Sequence, residues 1–170
     1  MNRSRRQEIR TATRADLECL ARIWHDGWQD AHAEILPAEL ARHRTIESFR
    51  QRLVAALADV RVAEVSGRPV GFAITREDEL YQLYVARDAR GSHVAAALID
   101  DAEQRLSARG VSTAWLACAI GNGRAEAFYE KMGWRRTGPM MSELDTPDGP
   151  VRLRVWRYEK ALSDNAPPAE

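Results

Sequence analysis

The segment VARDARGSHVAAALIDDAEQRL, Val85 to Leu106, limits the fold more than any other stretch of this sequence. It reads as a strand end, a loop with a single glycine at Gly91, and a helix from Val94 to Arg109 closed by Gly110. Around it the period changes. Before it, VRVAEVSGRPVGFAITRED alternates like an antiparallel hairpin turning on Ser66-Gly67-Arg68-Pro69, and Leu80 to Ala86 follows as a further strand. After it come a strand from Thr113 to Ile120, a helix from Arg124 to Met132 ended by Gly133, and strands Trp134 to Leu144 and Val151 to Leu162.

The first third of the chain is helical in pattern. Glu8 to Ala12 reads as a strand, and Thr13 with Asp16 three residues on forms a capping-box signature. Leu17, Leu20, Ile23, Trp24 and Trp28 then recur on one helical face. Pro37 opens a short helix, and Thr45 caps another whose buried face is Phe49, Leu53, Ala56 and Leu57. The order β-αα-ββ-β-α-β-α-ββ predicts one α+β domain over residues 8–162, with a mixed, mostly antiparallel central sheet of about seven strands flanked by helices. Residues 1–7 read as a basic flexible tail and 163–170 as a disordered one.

Composition excludes several classes. Lys and Arg total 25 and so do Asp and Glu, so the net charge is zero, which argues against a nucleic-acid partner. There is no apolar run of membrane-spanning length and no secretory start, so no membrane association is expected. Cys19 and Cys118 both lie in apolar patterns and read as buried free thiols of a cytoplasmic protein.

The loop itself invites a ligand. The first amides of a helix have no partner inside it and point into the loop with the positive end of the macrodipole, which makes an anion site. Arg90 adds charge, Gly91 backbone freedom, and Ala95, Ala96 and Ala97 keep the helix start small. The bland alternative is that Gly91 permits a turn and the alanines favour helix. No Gly-Lys-Ser/Thr follows, and two of three dinucleotide-fingerprint glycines are missing.

A second motif follows at GNGRAEAFYEKMGW, Gly121 to Trp134. With Leu83-Tyr84-Val85 at the strand end and Arg90-Gly91-Ser92-His93-Val94-Ala95 in the loop, the sequence resembles the GNAT superfamily of acetyl-CoA-dependent N-acetyltransferases over roughly residues 8–160. The resemblance implies acetyl-CoA as co-substrate and no metal. It assigns the pantetheine arm to Leu83, Tyr84 and Val85, with Asn122 beside it. The pyrophosphate falls to the loop amides of Arg90, Gly91, Ser92, His93, Val94, Ala95 and Ala96. Tyr129 would protonate the departing thiolate; its plain reading is a half-buried core tyrosine.

An attacking amine must lose a proton, and Glu77, Asp78 and Glu79 precede the cofactor strand. Glu79 is chosen as base because simple alternation puts Glu79, Tyr81 and Leu83 on one face; a solvated acidic turn is the alternative. Trp28, His32 and Tyr81 are the acceptor-side candidates; the alternative is that Trp24 and Trp28 are core and the histidines are surface. His25 and His32 share a helix face but lack further ligands for a metal. Arg124 lies at a helix start within reach of a cofactor phosphate. Trp115, Trp134 and Trp156 read as core or sheet-face aromatics.

His93 stands where the family usually has glycine. If the position needs a positive φ, histidine carries a strain on the order of 1 kcal/mol, while its backbone N–H survives. The reading is therefore an N-acetyltransferase acting on a primary amine, small molecule or peptide, by direct attack in a ternary complex. The alternatives are a CoA-binding or interaction module that has lost turnover, and an acyltransferase using a longer acyl-CoA or a protein N-terminus. Dimers are common in the family, so a homodimer is compatible.

Overall fold

The computed structural model describes residues 6–162. A seven-stranded sheet runs in the order β1-β2-β3-β4-β5-β7-β6, where β1 is Gln7–Thr11, β2 Val60–Val65, β3 Arg68–Arg76, β4 Glu79–Val85, β5 Thr113–Ala119, β6 Arg135–Leu144 and β7 Val151–Ala161. Every neighbouring pair is antiparallel except β4 and β5. Five helices complete it: α1 Leu17–His32, α2 Ala38–His43, α3 Ile46–Ala55, α4 Val94–Ala108 and α5 Gly123–Lys131. This is the mixed sheet expected from the order of periodicities. Gln7, counted with the tail above, pairs with Val65 in β1. Residues 1–5 and 163–170, which carry the remaining tail expectations, lie outside the described residues.

The sheet separates two cores. On one face Leu20, Trp24 and Trp28 of α1 and Phe49 and Leu53 of α3 pack on Val60, Val62, Phe72 and Ile74. On the other, Val94, Leu98, Ile99, Ala102 and Leu106 of α4 pack on Ala73, Leu80 and Leu116, with Phe128 and Tyr129 of α5 at the margin. Each large side chain so buried stabilises the fold by roughly 1.5–3 kcal/mol. The Thr13–Asp16 capping box forms, but the first residues after it make a 3₁₀ turn and the α-helix begins at Leu17. Thr45 caps α3 by accepting from Ser48 N at 3.1 Å; Ala56 and Leu57 beyond it are only partly buried. Of the two cysteines, Cys118 is buried, whereas Cys19 is half-exposed.

One turn is tighter than expected. The β2–β3 hairpin turns on Ser66 and Gly67 alone, with φ of 52° and 81°, as a two-residue loop of primed type demands. Arg68 and Pro69 already belong to β3, and Pro69 sits at a bulge opposite Glu64, where its missing N–H costs little. Glu77 and Asp78 make the β3–β4 turn.

Candidate active site

The site follows from a fault in the sheet. Opposite β3, β4 carries one extra residue, Tyr81, between Leu80↔Thr75 and Gln82↔Ile74. A bulge bends its strand. Parallel pairing of β4 with β5 is confined to Glu79↔Trp115, supplemented by Trp115 N donating to Asp78 O at 3.1 Å. Beyond that point the two strands diverge, and the edge of Leu83 to Val85 faces a cleft rather than a neighbour. The bulge also corrects the expected alternation. Glu79 and Tyr81 lie toward α1, but Leu83 packs in the opposite core with α4, because the inserted residue shifts the parity by one.

Two cavities meet in this cleft. The larger, about 530 Å³, is enclosed by β4, the 89–93 loop, the start of α4 and α5. Leu83, Tyr84, Val85, Arg90, Gly91, His93, Val94, Ala95, Ala96, Asn122 and Tyr129 all line it. The loop is built by two left-handed residues, Gly91 at φ 78° and His93 at φ 65°. His93 is thus in the conformation that disfavours a side chain, as the N-cap of α4. The first intrahelical bond beyond it is Ala97 N to His93 O at 3.0 Å, which leaves the amides from Gly91 to Ala96 free to take an anion; the Arg90 amide, expected among them, instead donates to Arg87 O at 3.3 Å, so Arg90 offers only its side chain. Ser92 is the exception among the loop candidates. It does not line the cavity, and its hydroxyl donates to Ala89 O, so its backbone amide is what it offers to a ligand.

The charge at this mouth is positive. Asp30 of α1 holds Arg87 at 2.7 Å and Arg90 at 3.3 Å. Arg124 and Lys131 also line the cavity, and the Arg124 guanidinium is held below its ordinary range by burial first and then by Arg90. A donor set of loop amides and arginines, with Ala95 and Ala96 offering little bulk, fits the diphosphate and pantetheine arm of a CoA thioester.

The smaller cavity, about 180 Å³, lies on the α1 side. Trp28, His32, Glu79 and Tyr81 line it, joined by Arg44, Arg52 and Cys118. Of the three acids at the turn, Glu77 is exposed and Asp78 accepts from Trp115 Nε1 at 3.0 Å. Glu79 is 8% exposed and ion-paired to Arg76 at 3.4 Å. Burial raises its carboxyl pKa, against the opposing pull of Arg76. His32 is buried enough that its imidazole is lowered to about 4 and stays neutral. Cys118, expected as a buried free thiol, is both buried and at the cavity wall; burial pushes its thiol up to about 12, so it carries no thiolate near neutral pH.

Tyr129 lines both cavities, as do Tyr84 and Asn122. Burial raises the Tyr129 phenol well above its usual value, with Cys118 and Tyr84 adding to the shift, so it holds its proton. Asn122 caps α5, its Oδ1 accepting from Ala125 N at 3.4 Å. His25 lies outside both cavities, with Nδ1 3.0 Å from Asp26 Oδ1. No cluster of metal-ligating side chains occurs among the described residues, and no helix there is long and apolar enough to cross a membrane.

Sequence reasoning missed Arg44, Arg52, Asp30 and Gly27. Arg44 and Arg52 belong to no motif. Gly27 did leave a signal, a glycine inside a helical pattern. A Cβ there would come within 2.5 Å of the Tyr84 ring, so the glycine lets α1 lie against β4.

Residues 30–147 match the acetyltransferase (GNAT) domain family. The ribosomal protein bS18-alanine N-acetyltransferase of Escherichia coli (strain K12) is 31% identical over 88 residues, 49% of this chain and 60% of that protein. The chain thus covers about three fifths of the length of that relative. A GCN5-related N-acetyltransferase structure from Rhodopseudomonas palustris superposes with a TM-score of 0.73 at 24% identity, covering 91% of this chain and 95% of that one. The PaiA N-acetyltransferase of Thermoplasma acidophilum, solved in complex with coenzyme A, gives 0.66 at 21% identity, with 92% and 99% covered. At these identities the two structures establish the fold, and the domain match establishes descent: the chain belongs to the GNAT acetyltransferase family.

Proposed function

We propose that the protein transfers the acetyl group of acetyl-CoA to a primary amine by direct attack in a ternary complex. The observation that carries this reading is the meeting of the two cavities at Tyr129, with a base candidate on one side and an anion cradle on the other. Bound acetyl-CoA supplies the acetyl group as an activated thioester. In this reading the backbone edge of Leu83, Tyr84 and Val85 takes the pantetheine arm, with Asn122 beside it. The amides of Gly91 to Ala96 take the diphosphate, and Arg90 and Arg124 add charge.

On the acceptor side, Trp28, His32 and Tyr81 form the wall. Glu79 accepts the amine proton, its raised pKa making it a stronger base than an ordinary carboxylate. Tyr129 keeps its proton until negative charge develops on the sulfur, then gives it up there. Direct attack is favoured over an acyl-enzyme because the one thiol at the cavity, Cys118, is held protonated. An amine acceptor accords with the bS18-alanine N-acetyltransferase relative.

The test is thermal stabilisation by acetyl-CoA together with thiol release across a panel of amines and peptides. Stabilisation with amine-dependent thiol release supports the transfer reading. Stabilisation without release from any amine favours a CoA-binding module, for which strained His93 is the motivating feature. No stabilisation contradicts both.

A further inference from the structure

The acceptor cavity contains two guanidinium groups that the transfer chemistry does not use. Arg44, at the end of α2, is only 7% exposed. Its one side-chain hydrogen bond among the described residues is from Nη1 to the backbone oxygen of Asp145 at 3.3 Å. Arg52, on α3, donates from Nη2 to the Tyr81 hydroxyl at 2.6 Å, and its Cζ lies 4.4 Å over the Trp24 ring. Neither makes an ion pair among the described residues.

The two guanidinium groups also act on each other. Arg44 is held below its ordinary range by burial first and then by Arg52, while the Asp145 carboxylate is the smallest opposing influence. Glu79, the one acid at the cavity wall, is engaged by Arg76 from outside, and His32 is neutral. A pair of partly desolvated like charges with no counter-ion is costly to hold in a fold. Packing alone does not require it, since an apolar side chain would serve under Trp24. Guanidinium groups are suited to a planar, two-oxygen anion, which they hold through paired N–H donors.

We propose that the acceptor amine carries a carboxylate, and that Arg44 and Arg52 receive it while the amine faces Glu79. This rests on the smaller cavity being the acceptor side, and it specifies that substrate as an amino acid or similar amino-carboxylate. A cavity of about 180 Å³ lies below the range of drug-sized ligand sites, as a small acceptor requires. The same two charges disfavour polyamines and basic peptides.

The test uses the full chain saturated with CoA and a panel of N-acetyl amino acids, each paired with its primary amide, titrated by calorimetry. At least one acid is expected to bind about tenfold or more tighter than its amide. Arg52→Gln is expected to remove that preference while leaving CoA affinity unchanged; Arg52→Lys should restore part of it. Arg44→Gln is expected to act in the same way, and Arg52 alone decides the matter if the Arg44 variant does not fold. The proposal is overturned if no acid is preferred, including the case in which none binds, or if the preference persists in Arg52→Gln. Thiol release measured on the same preparations keeps the two readings apart. Acid preference without release sinks acetyl transfer alone, and release without acid preference sinks this inference alone.

Discussion

The two cavities at the β4–β5 cleft are built by different means. The larger one draws on backbone: loop amides, a helix start, an unpaired strand edge and small side chains, mostly within residues 83–96. The smaller one draws on side chains from distant parts of the chain, with Trp28 on α1, Arg44 and Arg52 on the next two helices, Glu79 on β4 and Leu144 and Leu153 on the final hairpin. A backbone cradle is generic and serves one shared ligand. A chamber of converging side chains is free to differ with each acceptor.

That contrast sets the expected effects of substitutions. Glu79→Gln should affect only the acceptor side, lowering turnover about 10²-fold or more without changing acetyl-CoA affinity in calorimetry. In the wild type the rate should fall on acidification at a higher pH than an ordinary carboxylate would give, because burial raises this carboxyl. The same shift has a stability consequence. A carboxyl raised in the folded state contributes fully below its unfolded pKa, and that contribution is lost as pH rises through the folded value. Glu79→Gln should therefore melt slightly higher than wild type at neutral pH, and the gain should disappear in acid.

Gly27→Val joins the two regions, since Tyr84 lines both cavities. The added Cβ meets a ring already packed between Trp24 and Phe72, at centroid distances of 6.2 and 5.9 Å. We expect a loss of about 1–3 kcal/mol in denaturant unfolding together with weaker acetyl-CoA binding. Unchanged binding in a folded variant would show that the α1–β4 contact does not shape the cofactor side.

His93→Gly is expected to give the smallest effect. Relief of left-handed strain, on the order of 1 kcal/mol, is largely offset by the freer unfolded chain. Acetyl-CoA binding should tighten severalfold at most in calorimetry. A fall in affinity would mean that the imidazole contributes a contact worth more than the strain.

The difference between the cavities also explains what the sequence made legible. Periodicity located the seven strands and the longer α-helices to within a few residues, because each buries one regular face. The side proposed for the cofactor drew notice in the sequence because Leu83-Tyr84-Val85, Arg90-Gly91 and Asn122 to Trp134 are short, local motifs. Arg44 and Arg52 were invisible because their meaning lies in meeting each other and Glu79 across the fold. The parity of Tyr81 and Leu83 was misread for a related reason. A bulge is set by the pairing strand, and nothing in ELYQLYV announces it.

The most direct test of the two-cavity account is acetyl-CoA calorimetry and single-turnover thiol release on Tyr129→Phe beside wild type. Tyr129 touches both cavities, and removing its hydroxyl leaves the ring in place. The expected result is acetyl-CoA affinity equal to wild type with thiol release about 10²-fold slower or worse. Release at the wild-type rate, or no acetyl-CoA binding by the wild type itself, would contradict the account.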